Sequence, residues 1–208
     1  IIRRMFGQSQ LAVVILTIAL GFVARFLAGA IWGHDPQSLE SPISGQYFRI
    51  SDIVIGVPEI WIIGITIFLT VVLFVFFAKT KLGVAMQAAS QNQMAAYYMG
   101  IPVRRVNSLI WALSGIVAAI AGILFASKNA IDPGTGLLGI KAFAAAVIGG
   151  LGSLPGALLG GLVIGLIEPF AARYLEGDIA RIMPYLVLVL ILIFRPHGIL
   201  SQVQKKKV

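Results

Sequence analysis

Long uncharged runs dominate this chain. Leu11 to Trp32 is 22 residues with a single charge, Arg25. Ile60 to Ala78 is 19 residues and Val106 to Ser127 is 22, both without charge. Ala142 to Ile167 is 26 uncharged residues, interrupted by Gly149-Gly150-Leu151-Gly152-Ser153-Leu154-Pro155-Gly156. Ile182 to Phe194 adds 13 more. About 20 apolar residues cross a ~30 Å hydrocarbon core, and a spanning segment must satisfy its own backbone hydrogen bonds. The runs therefore predict an all-α polytopic membrane protein. Composition agrees: 59% of residues are hydrophobic and 12% charged, against roughly 25% charged in a soluble domain. With no cysteine, a disulfide scaffold is excluded, as are a disordered chain and a soluble enzyme with one buried core. The net charge of +8 does not point to nucleic acid, because the basic residues punctuate apolar runs instead of forming an aromatic-laced patch.

The expected architecture is about five spanning helices plus a broken or re-entrant helix. The first three runs read as full spans. The fourth divides. A piece from near Gly139 to about Leu151 is ~20 Å long and too short to span. A second piece, Pro155 to Arg173, is long enough, and Pro155 suits a first helical turn. The last run extends back to Asp178 as its N-cap, giving 17 residues. Asp132-Pro133-Gly134 reads as a turn on the outer side.

Charge sets the orientation. Arg3, Arg4, Lys79, Lys81, Arg104, Arg105, Arg195 and Lys205 to Lys207 fall on one side, ten basic residues against five on the other. The richer side is expected to be cytoplasmic, the C-terminus with it. Arg25 and Glu168 are left inside the membrane. They pair with one another or snorkel to the outer interface, the two readings having equal weight, while Lys141 snorkels. The outer segment Gly33 to Val57, long for a plain connection, is expected to pack on the outer face.

The inner segment 80–105 differs in character. Gly83 to Met99 is uncharged and rich in helix formers, with Gly100 where a C-terminal cap belongs. It reads either as a connector at the membrane surface or as a docking helix for a cytoplasmic partner. The lack of lysine-rich amphipathicity argues against a lipid anchor. Gly152, Gly156 and Gly160, and likewise Gly161 and Gly165, form small-residue ridges for close helix packing. Gly115, Ala118, Ala119, Gly122 and Ala126 form another. His34 and His197 lack metal-ligand spacing. The chain has no phosphate-binding loop and no hydrolase or metalloprotease motif, so it is not expected to be an enzyme and energy must come from a partner or a gradient.

Three stretches resemble a known family: TKLGVAMQAASQNQMAAYYMGI at Thr80 to Ile101, KAFAAAVIGGLGSLPGALLGGLVIGLIE at Lys141 to Glu168, and RPHGIL at Arg195 to Leu200. They resemble the branched-chain amino-acid ABC transporter permeases, the shorter of two paralogous subunits. The resemblance implies one permease domain over 1–208, the segment of a longer protein lacking its first spanning helices, in a bacterial inner membrane. It implies a second permease subunit, two cytoplasmic ATPases that hydrolyse ATP, and a periplasmic substrate-binding protein. No cofactor is implied on this chain. Gln87, Ala88, Ala89, Ser90, Gln91, Asn92 and Gly100 would belong to the ATPase-coupling helix, with Gln87 standing where relatives usually carry Arg. Gly149, Gly150, Gly152, Pro155, Gly156, Glu168 and Arg25 would mark the helix break or translocation path. A sugar permease, a secondary transporter or channel, and a non-transporting scaffold are the alternative readings.

Overall fold

A computed structural model describes residues 10–39, 46–50, 53–175, 177–195 and 198–200. Arg3, Arg4, His197 and Lys205 to Lys207, invoked above, lie outside the described residues. The elements run in the order α1 (Gln10–Trp32), β1 (Tyr47–Ile50), β2 (Ile53–Gly56), α2 (Val57–Lys79), α3 (Lys81–Gln91), α4 (Gln93–Tyr98), α5 (Val103–Ala126), a 3₁₀ helix (Pro133–Leu137), α6 (Leu138–Gly149), α7 (Leu154–Tyr174) and α8 (Gly177–Phe194). Among the described residues, α1, α2, α5 and α7 are long and apolar enough to cross a membrane. The α2 span has a mean hydropathy of 2.8 and buries none of its residues, the pattern of a helix whose solvent is lipid. Backbone contacts group the chain into two units, His34–Asp132 and the remainder.

In the unit His34–Asp132, α2 and α5 are joined at one end by α3 and α4. A sharp corner leads from α2 into α3. Thr80 Oγ1 donates to the Phe76 carbonyl at 2.7 Å and accepts from Gly83 N at 3.0 Å, ending one helix and capping the next. A Cβ at Gly83 would collide with the Phe76 carbonyl. Met86, Ala89, Ala96 and Val106 form the buried cluster, with Phe76, Phe77 and Ile110 packed around it.

The inner segment departs from the single helix expected over Gly83 to Met99. Asn92 is extended (φ −153°, ψ 102°), and its side chain accepts from Ala95 N at 3.0 Å. Asparagine competes for local backbone donors and favours a cap over a helix interior. Here it stops α3 and starts α4. Gly100 takes φ +79° just past α4, the left-handed position a helix C-terminus favours glycine for.

The described part of the outer segment contains a short ladder. Tyr47–Ile50 pairs antiparallel with Ile53–Gly56, Phe48 opposite Ile55, and Gln37 bridges to Ile131. The β-branched, aromatic-rich spelling YFRI and IVIG suits a short ladder. Glu59 and Lys128 form an ion pair at 3.0 Å near the same end.

The other unit contains α1, the 3₁₀ helix, α6, α7 and α8. The expected turn at Asp132-Pro133-Gly134 is instead the entry to the 3₁₀ helix, which runs straight into α6. Five 3₁₀ and twelve α-helical residues give a rod of about 28 Å, longer than the ~20 Å expected for this piece. Leu154–Tyr174 then returns antiparallel to α6. Pro155 lies in its first turn, and Ser153 Oγ accepts from Gly156 N at 3.1 Å as the N-cap. Asp178 is the second residue of α8, not its N-cap.

Candidate functional site

The α3–α4 segment has two different sides. Ala89 is 1% exposed and packs with Met86 in the buried cluster. Ala88 is half-buried, whereas Gln87, Ser90, Gln91, Asn92 and Gly100 are exposed. Gln87 Nε2 donates to the Phe77 carbonyl at 3.3 Å, and Ser90 Oγ donates to the Gln87 carbonyl at 2.8 Å. Met94, Tyr97, Tyr98 and Met99 are also exposed. Sequence reasoning named none of these four as site residues, although two adjacent tyrosines between methionines on an otherwise polar loop carry the signal. Exposed aromatics and methionines of this kind are enriched at protein interfaces. Lys79, Lys81, Arg104 and Arg105 flank the segment in sequence.

The glycine-rich interruption is the tip of the α6–α7 hairpin. Gly149 and Gly156 meet backbone to backbone, and Gly160 lies against the Ala145 carbonyl; a Cβ at any of the three would collide with main-chain atoms. Small residues permit such an approach, which van der Waals contact then rewards. Ile148, fully buried, sits beneath with Ala144, Ala145 and Ile164. Gly150 and Gly152 have φ of +107° and +90° and form the turn itself. Gly152 is therefore a turn residue and not part of the Gly156–Gly160 ridge, since none of the described residues approaches it. Among the described residues, a Cβ at Gly115, Gly122, Gly161 or Gly165 likewise meets no neighbouring atom.

The chain after α8 closes this tip. Ile199 N donates to the Ile148 carbonyl at 2.9 Å and Leu200 N to the Gly149 carbonyl at 3.0 Å. These are orphan acceptors at a helix C-terminus. Ile191, in the last turn of α8, packs against the cluster beneath the tip.

Glu168 does not pair with Arg25. Its Oε1 accepts from Lys141 Nζ at 2.5 Å, linking α7 to α6. The antiparallel register of Ala145 with Gly160 explains this: Lys141, the fourth residue of α6, lies within about a turn of Glu168, the seventh residue from the end of α7, and its long side chain spans the difference. Arg25 is exposed on α1 and makes no ion pair with a described residue. Among the described residues no three histidine, aspartate or glutamate side chains come together to hold a metal.

Residues 2–192 match the model of a family described as branched-chain amino acid transport system / permease component. The chain belongs to this family. The family is one of membrane transport permease components and not of enzymes. It is 35% identical over 161 residues to the high-affinity branched-chain amino acid transport system permease protein BraD of Pseudomonas aeruginosa, covering 76% of this chain and 52% of the relative. Identity to the corresponding LivH of Salmonella typhimurium is 34% over 210 residues, covering 97% of this chain and 68% of the relative. The fructose import permease protein FruG of Bifidobacterium longum is 31% identical over 180 residues, covering 77% of this chain and 51% of FruG. The chain thus spans about half to two thirds of the length of these relatives. No solved structure matches it.

Proposed function

We propose that this chain forms the translocation path of an ATP-binding-cassette importer for branched-chain amino acids. It lies in a bacterial inner membrane, with the α3–α4 end and the C-terminus cytoplasmic. Its partners are a second permease subunit, two ATPases that bind and hydrolyse ATP, and a periplasmic binding protein that delivers substrate. The observation that carries this reading is the two-sided α3–α4 segment. One side is welded to α2 and α5 through Met86, Ala89, Ala96 and Val106; the other is exposed and uncharged. An ATPase seated on the exposed side pushes on α3. The buried cluster passes that displacement to Phe76 and Phe77 of α2 and to Val106 and Ile110 of α5. Packed cores transmit such strain because they resist compression. Tilting of the two spans then opens the path to one side or the other. Family membership and the names of the Pseudomonas and Salmonella relatives support the substrate class. The Bifidobacterium relative makes a sugar permease the second reading.

The test is co-purification of the ATPase with the intact permease, wild type against Ser90→Glu and Met94→Glu. Both positions are exposed, so neither substitution threatens the fold. A charge placed in a packed interface without a partner is strongly unfavourable. The ATPase is expected to travel with the wild type and to be lost from both variants while membrane insertion stays normal. Failure of any ATPase to associate with the wild type refutes the importer reading, and equal recovery from all three refutes the docking face. Proteoliposome uptake of leucine against fructose decides the substrate class.

A further inference from the structure

The Lys141–Glu168 pair is unusual for its setting. Two helices otherwise joined by glycine, alanine and isoleucine each bring one ionisable side chain to this contact. Lys141 is on an apolar rod that runs to Gly149, and Glu168 is inside the candidate span Leu154–Tyr174. Ionisable groups in an apolar spanning helix are costly, and an ion pair taken out of water is often no more stable than the apolar residues that would replace it. Close packing at Gly149, Gly156 and Gly160 already holds the hairpin. A purely stabilising role therefore gives little reason for the charges.

The pair is also reachable. The Lys141 side chain is 28% exposed and that of Glu168 is 37%. On α7, Gly161, Gly165 and Ala172 lie within the same arc of the helix as Glu168, and all three are exposed. Among the described residues, nothing outside the helix lies within 4 Å of a Cβ built on either glycine. Pro169 follows Glu168 inside the helix. It has no N–H to donate, so the Gly165 carbonyl loses its usual helical partner. The Glu168 carboxylate, paired with the Lys141 ammonium of α6, thus borders an unfilled arc of α7 and lies within one turn of a freed carbonyl.

We infer that Lys141 and Glu168 are a substrate-contacting pair that receives the charged end of a zwitterionic α-amino acid. This rests on the importer reading above. Lys141 takes the α-carboxylate. Glu168 takes the α-ammonium, and the Gly165 carbonyl offers it a second acceptor. The long lysine stem lets the two side chains part. One ion pair is exchanged for two charge-assisted contacts, so no charge is left unpaired when substrate enters or leaves. An analogue lacking either group leaves one side chain unpaired, and sites of this kind reject such analogues far more strongly than they reject a change in apolar size.

The experiment is ATP-driven leucine uptake by proteoliposomes of the assembled transporter with its binding protein. It compares wild type, Glu168→Gln, Lys141→Met, and the double exchange Lys141→Glu/Glu168→Lys. Co-purification of the ATPase and thermal unfolding report assembly and fold. Each single variant is expected to assemble and to lose uptake by roughly tenfold or more. The double exchange restores an ion pair and the wild-type melting temperature but presents substrate with reversed polarity, and its uptake is expected to stay low. Wild-type uptake from the double exchange makes the pair a structural pin and overturns the proposal. Normal uptake from either single variant overturns it as well. Absence of leucine uptake by the wild type with its ATPase bound is the separate failure of the importer reading, and this proposal falls with it.

Discussion

Gly160 and Gly161 are neighbours on α7 with opposite surroundings, so the same substitution should have opposite effects. A Cβ at Gly160 falls on the Ala145 carbonyl oxygen and comes within 2.9 Å of Gly149 N. Both obstacles are main chain, which cannot swing aside as a side chain does. Ordinary Cβ contacts begin near 3.4 Å. Gly160→Ala therefore forces α6 and α7 apart by more than an ångström at this level, loosening the contacts of the fully buried Ile148. Overpacking of this kind costs typically about 1–3 kcal/mol, and a backbone obstacle puts Gly160 at the upper end. At Gly161 the added methyl meets nothing. There Gly→Ala recovers some of the ~0.5–1 kcal/mol by which glycine disfavours a helix. A 3 kcal/mol loss in a chain of this size lowers the melting temperature by about 6–12 °C. The assay is thermal unfolding of the intact permease in detergent, followed by loss of the monodisperse chromatographic peak. Gly160→Ala should melt several degrees below the wild type, and Gly161→Ala at or above it. Equal melting of the two variants would refute the close approach of α6 and α7.

Two further predictions concern helix ends. Gly198→Val places a side chain against Gly150 Cα and the Val147 carbonyl, displacing the chain that serves the Ile148 and Gly149 carbonyls. Losing those two hydrogen bonds is worth about 1–3 kcal/mol. It should appear as faster amide exchange at Ile199 and Leu200 with little change in α2; unaltered exchange would show that the tip does not depend on this chain. Asn92→Ala removes the α4 cap at about 1 kcal/mol, and alanine favours a continuous helix. Spin labels on Ser90 and Met94 should then report a longer, straighter inner segment, and an unchanged separation would show that the break has another cause.

Much of this protein follows from local spelling. Uncharged runs of about twenty residues have no stable alternative to spanning helices, so α1, α2, α5 and α7 lie within a few residues of where the runs predict. Pro155 restricts the backbone and Gly100 frees it, both locally, and they occupy the first turn of α7 and the left-handed position after α4. The stretches Thr80 to Ile101 and Lys141 to Glu168 point to the family by resemblance alone. Other features depended on what the chain brings together at a distance. Asn92 is compatible with a helix interior or a cap, and the packing of Ala89 and Ala96 on α5 tips it to a cap. Ala89 reads like its exposed neighbours in a uniform run of small residues, and only tertiary packing turns it inward. The YFRI and IVIG strands need one another's hydrogen bonds before either is a strand.

The partner of Glu168 is the clearest case. Composition shows a carboxylate in an apolar helix that needs a cation or the interface, and on that ground Arg25 and the outer interface were the two readings while Lys141 read as a separate snorkelling group. The choice depends on the length of the 3₁₀–α6 rod and on the register in which Gly160 meets Ala145. That register is set by where two backbones come closest, a property of the folded pair and of neither helix alone. The need for a counter-charge is local chemistry, whereas its identity is decided by three-dimensional packing.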